Sequence, residues 1–138
     1  MKFTWQEESA HSVQSEGELA SILKEVDKKS GDESPIAVLT AESGSEIHIG
    51  LGHPSLSMLI YFPSGVSGYE PAGSMHSVGD TEERDRDEWQ PPLTFFYFTH
   101  HSEFPMWMGI PKAEAYDAVL QFFRTDGELP AGIRWEDD

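Results

Sequence analysis

The chain has 138 residues and no cysteine, and 25 Asp and Glu outnumber nine Lys and Arg for a net charge of −16. That length suits one domain, residues 1–138, able to bury roughly 68% of the surface its unfolded form exposes, and a 38% hydrophobic content excludes a disordered acidic tail. The missing thiols exclude disulfides, thiolate catalysis and cysteine-based zinc sites, while the charge repels DNA, RNA and anionic membranes.

The opening residues lack the apolar core of a signal peptide, and no segment is long enough to span a bilayer, so a cytoplasmic protein is expected. Residues 2–6 read as a first strand with Phe3 and Trp5 on one face. Ser15 and Glu18 have capping-box spacing, and Leu19, Ile22, Leu23 and Val26 follow as one helical stripe. Lys28, Lys29, Ser30 and Gly31 close that helix.

Three strands are expected next, at residues 35–41, 46–51 and 55–62, joined by tight turns into an antiparallel meander. In the second, Ile47, Ile49 and Leu51 point inward while Glu46 and His48 point outward. In the third, Leu56, Met58, Ile60 and Phe62 share one face. Residues 63–92 are rich in Gly, Ser, Pro and acids and read as a long loop region, with an edge strand near 68–76.

The aromatic run Phe95, Phe96, Tyr97 and Phe98 leaves neither side of a strand polar, which suits a central strand covered on both faces. His100 to Glu103 would turn the chain and residues 104–110 resume it, giving a hairpin in the middle of the sheet. Pro111 opens a second helix, with Ala115, Tyr116, Val119, Leu120 and Phe123 as its stripe and Phe122 widening it. Gly127 is its expected C′ residue, and a last strand covers 130–135. The order predicts an α+β domain: a largely antiparallel sheet of about six to eight strands with two helices packed on it.

No chemistry-bearing motif stands out. His100 and His101 are adjacent and point apart on a strand, His48 and His53 are separated by turn residues, and no H-x-x-x-H pattern occurs, so no metal is expected. There is no nucleophile elbow, and Ser74 and His76, two apart, have no marked orienting carboxylate. Neither phosphate-binding glycine motif is present; the Gly50 to Pro54 stretch is a turn with a passing likeness. No catalytic residue, cofactor or direct nucleic-acid contact is assigned.

The charge allows two accounts: an acidic proteome, or a surface shaped for a basic partner. The acids Asp80, Glu82, Glu83, Asp85, Asp87 and Glu88 are flanked by Trp89 on one side and by Tyr69 and Glu70 on the other. Aromatic anchors beside complementary charge give interfaces affinity and fast association. These nine residues are the candidate partner-binding set. The alternative is a small-ligand or scaffold module whose acidic surface serves only solubility; an enzyme ranks third.

The stretch from Ile110 through Gly127, Glu128, Leu129 and Pro130 to Ile133, Arg134 and Trp135 resembles the tail of the first-numbered immunity-protein family of bacterial polymorphic toxin systems. There a helix ends in a Gly-Glu-x-Pro turn followed by a short strand carrying Trp. Ile47 to Gly52, and Phe104 with Pro105, fit the same pattern, so the resemblance runs from about Glu16 to Trp135. It implies a cytoplasmic inhibitor of a cognate secreted toxin. One relative neutralises a deaminase acting on cytosine in double-stranded DNA, and others accompany nucleases. The family offers no catalytic residues to carry over, and Gly127, Glu128, Pro130 and Trp135 take structural roles. A toxin working on nucleic acid presents a basic active-site cleft, which an acidic protein can occupy.

Overall fold

A computed structural model describes residues 1–5, 10–29, 34–65, 73–79, 92–97 and 100–137. Seven strands form one antiparallel sheet: β1 (Lys2–Trp5), β2 (His11–Ser12), β3 (Ile36–Thr40), β4 (Glu46–Gly50), β6 (Leu59–Phe62), β7 (Met75–Val78) and β11 (Arg134–Asp137). Their order across the sheet is β11-β7-β6-β4-β3-β1-β2. Two small sheets accompany it, β5 (Leu56–Ser57) with β10 (Ile110–Pro111) and β8 (Leu93–Tyr97) with β9 (His100–Phe104). With α1 (Glu16–Lys29) and α2 (Lys112–Arg124), the fold is α+β. The expected meander is present as β3-β4-β6.

Both helices cover one face of the sheet. Phe3, Leu39, Ile47, Ile49 and Leu59 from the strands meet Leu19, Leu23, Val119 and Phe122 from the helices in a single buried cluster. Each such side chain contributes roughly 1.5–3 kcal/mol on leaving water. The stripe on α2 is centred on Ala115, Ala118, Val119 and Phe122, all buried, whereas Tyr116, Leu120 and Phe123 are half-buried. Phe122 is thus the middle of the stripe and not its margin.

The α1 cap is half as the spacing predicts. The Glu18 N–H donates to Ser15 Oγ at 3.2 Å, but the Glu18 carboxylate takes the Gln14 N–H, one residue earlier than the reciprocal box requires. Ser30 and Gly31 lie outside the described residues. Glu16 pairs with Arg124, and Asp27 with Lys112, so antiparallel helices are tied at both ends.

At the end of α2 the Asp126 N–H reaches the Phe123 carbonyl and the Gly127 N–H the Phe122 carbonyl, a Schellman closure. The C′ residue is therefore Asp126, at φ 50°, with Gly127 one position later at φ 100°. The turn is fastened to the sheet. Ser45 Oγ donates to the Gly127 carbonyl at 2.8 Å and Tyr61 Oη donates to the same oxygen at 2.7 Å. Ser43 Oγ donates to the Asp126 carbonyl, and the Glu42 N–H to its carboxylate. The Gln121 side chain then clamps the Ala131 backbone at both N–H and C=O, and Trp135 Nε1 donates to the Pro130 carbonyl at 3.0 Å. The last strand begins only at Arg134, since residues 128–133 are spent on this turn.

The opposite face of the sheet corrects several expectations. The strand with all four residues buried is β6, and β4 is nearly so; β8, with its aromatic run, alternates. The β8–β9 hairpin does not join the large sheet but lies over its second face, where Leu93 and Phe95 pack with Ile36, Met58, Ile60, Phe62 and Met108. His100 to Glu103 belong to the second strand, not the turn, and Met106–Met108 form a 3-10 turn. The polar identities misled because β9 shows one edge to solvent. Residues 55–62 are not one strand: Met58 interrupts it, and β5 leaves to pair with β10 ahead of α2. Of the strand expected near 68–76, residues 68–72 lie outside the described residues, and the strand Met75–Val78 runs inside the sheet between β6 and β11, not at an edge.

Gly127→Ala forces a left-handed backbone on an L-residue and drives its Cβ into Ser45 Oγ and the Ala41 methyl. We expect a loss of about 3 kcal/mol, read as a lower urea midpoint with an unchanged slope.

Candidate interaction face

Parity along the strands sorts the sheet's side chains into two sets. Val38, His48, Ile60, His76 and Glu136 lie in one cross-strand row on the face away from the helices. His48 was expected to point to water; it does leave the helix side, but the hairpin layer buries it. Its Nε2 lies 3.1 Å from Glu46 Oε1 and its Nδ1 2.8 Å from Tyr97 Oη, and its ring packs 4.5 Å from that of Phe62. In the neutral ring the hydrogen belongs on Nε2, facing the carboxylate, so Tyr97 donates to Nδ1. The hydrogen bond from His48 holds the Glu46 carboxyl below its usual range, against the opposing pull of burial. The chain Tyr97–His48–Glu46 therefore latches the hairpin to β4.

His76 sits two strands away, its ring 5.5 Å from that of Trp107 and its Nε2 3.9 Å from Glu136 Oε2. Ser74, its sequence companion, precedes the strand and is fully buried. The hairpin seats itself by close approach: a Cβ at Gly50 would stand 2.6–2.8 Å from three atoms of the Phe95 ring. The Phe96 N–H donates to the Ser34 carbonyl at 2.8 Å, beside a parallel bridge from Pro35 to Phe96.

A second polar cluster lies on the helix side. Lys112 Nζ contacts Asp27 Oδ2 at 2.7 Å and the His53 carbonyl at 2.9 Å, while Asp27 Oδ1 accepts the Gly52 N–H. Burial, helped by Asp27, pushes the Tyr116 phenol up to about 12, and burial with the nearby Lys112 charge lowers His53. Both Asp27 oxygens are engaged by the protein itself, so this cluster ties α1, α2 and the β4–β5 loop together. Among the described residues no group of three metal-binding side chains gathers. A depression of about 370 Å³ is lined by Met1, Lys2, Ser12, Thr40, Ala41 and Glu42.

The nine residues singled out for partner binding, Tyr69, Glu70, Asp80, Glu82, Glu83, Asp85, Asp87, Glu88 and Trp89, lie outside the described residues. The points where the chain leaves and returns are described. Gly79 donates its N–H to the Trp107 carbonyl at 2.7 Å, and Leu93 is buried with Met108. Both of these points rest on the 3-10 turn of the hairpin layer. Sequence reading did not find the latch at His48 and Tyr97, because its members are 49 residues apart and no local pattern joins them.

Most of the chain's charge lies outside the helices in sequence. The two helices hold three and two cations against four and two acids, a balance of −1, so −15 of the chain's −16 lies outside them. No Lys or Arg occurs between Asp87 and Pro111.

Tyr97→Phe removes the donor to His48 and is expected to cost about 1 kcal/mol, and Gly50→Ala, which crowds Phe95, about 2 kcal/mol. Because the Glu46 carboxyl titrates low in the folded chain, its contribution is present above the usual glutamate range and fades as pH falls through the folded value. Glu46→Gln should therefore lower the urea midpoint near neutrality, by less than about 1 kcal/mol for a partly solvated pair. It should also lose less than the parent as pH falls below the usual glutamate range.

No curated protein matches the chain. The family model described as Immunity protein Imm1 matches residues 7–137, nearly its whole length, and includes the α2 turn from Gly127 to Trp135. The chain belongs to the Imm1 immunity-protein family, whose members have a cognate toxin as partner.

Proposed function

We propose that this protein is a cytoplasmic antitoxin that binds a secreted toxin acting on nucleic acid, such as a DNA cytosine deaminase or a nuclease, and blocks its basic active-site cleft without any turnover of its own. The observation that carries the reading is the family match over residues 7–137. The net charge of −16 supports the choice of toxin, because an enzyme that holds a phosphate backbone needs a cationic cleft, and an anionic protein is matched to it. No helix among the described residues is long and apolar enough to cross a membrane.

In this reading the acids of residues 80–88, with Glu70 beside Tyr69 and with Trp89 as a second aromatic anchor, meet the toxin near its active site. The segment's flanks at Gly79 and Leu93 are held on the hairpin layer. Long-range attraction would speed encounter, and the aromatic rings would slow release.

The test uses the toxin domain encoded beside this chain in its native genome. Replacing Glu82, Glu83, Asp85 and Asp87 by Lys should slow association about tenfold or more at low salt and remove most of its salt dependence. Unchanged kinetics in that variant would take the segment out of the interface, and no binding by the parent chain would refute the antitoxin reading.

A further inference from the structure

We infer that the outward face of the β8–β9 hairpin, built on Phe96, His101 and Glu103, is a second contact surface for a cationic patch of the partner protein. This rests on the antitoxin reading and extends it to residues that the sequence pattern did not mark.

Register decides which side chains face out. Leu93 pairs with Phe104 and Phe95 with Ser102, and these turn toward the sheet, where Leu93 and Phe95 are buried and Phe104 packs beside them. The pairs between them, Thr94 with Glu103 and Phe96 with His101, must then point away. Phe96 is half-buried, its ring 5.5 Å from that of His101, and its main chain is fixed by the Ser34 carbonyl and the Pro35 bridge. An aromatic ring on a pinned strand loses little freedom on binding, which is what an anchor residue needs. His101 and Glu103 side chains are 54% and 58% exposed and 3.8 Å apart. The face therefore offers one held ring with a carboxylate next to it.

The kind of partner follows from charge. The nearest Lys or Arg in sequence are Arg86 and Lys112, on either side of the whole hairpin layer, and the chain as a whole carries −16. A nucleic acid or an anionic membrane is repelled from such a surface, whereas Lys and Arg of a protein find both the Glu103 carboxylate and the Phe96 ring face. A stable interface covers about 800 Å² on each partner, more than one hairpin face, so this patch is one part of a larger footprint.

Binding to the toxin domain encoded beside the chain is measured by surface-based kinetics for the parent and for three variants, each checked for an unchanged melting temperature. Glu103→Lys should weaken binding about tenfold, mainly through association, and Phe96→Ala about tenfold, mainly through dissociation. Lys28→Glu on α1 should leave binding unchanged or slightly tighter. Wild-type affinity in both Glu103→Lys and Phe96→Ala, with the parent binding normally, removes this face alone. Absence of binding by the parent removes the antitoxin reading and this face with it. If Phe96→Ala fails to fold, the exposed Glu103→Lys decides the matter, since a buried partner carbonyl or core contact is not at stake there.

Discussion

One oxygen atom joins the parts of this fold that are far apart in sequence. The carbonyl of Gly127 receives hydroxyl groups from Ser45 in the β3–β4 turn and from Tyr61 in β6, so both of its lone pairs are used inside the protein. Only a glycine at φ 100° lets the chain bring that carbonyl so close to the turn. The end of α2 is thereby set against the sheet, and the Tyr61 ring is held between Phe122 and Trp135. A carbonyl stripped of water and left without these donors would cost about 1–3 kcal/mol. That asymmetry explains why the Gly-Glu-x-Pro turn and the following Trp form a recognisable unit.

With α2 fixed, the sheet has one face committed to helices and one face left to cover. The hairpin layer covers it, and does so with close contacts and not with bulk alone. Phe95 rests on the bare Cα of Gly50, and Tyr97 reaches the buried ring of His48. Buried strands such as β6 are a consequence of this second layer, since a sheet covered by helices alone would have kept a polar side.

Cations are concentrated on α1 and α2, where they answer helix acids and, in Lys112, hold Asp27. The hairpin layer has no Lys or Arg of its own.

The amino-acid sequence by itself determined the elements whose signal is local. The stripe Leu19, Leu23 and Val26, the alternation Ile47 and Ile49, and the turn around Gly127 are each legible because helix and strand periods, and a left-handed backbone, leave their mark within a few residues. The α+β class followed from these, and the tail from Ile110 to Trp135 carried the resemblance to the immunity family. What sequence could not decide was which surface covers which. Phe95, Phe96 and Tyr97 read as a central strand, yet only tertiary contact determines that Phe95 is buried while Phe96 faces outward. His48 reads as a solvent position, and a tyrosine 49 residues away makes it a buried one. Burial of a strand's second face depends on a layer that returns from far along the chain, and residue order carries no direct record of that distance.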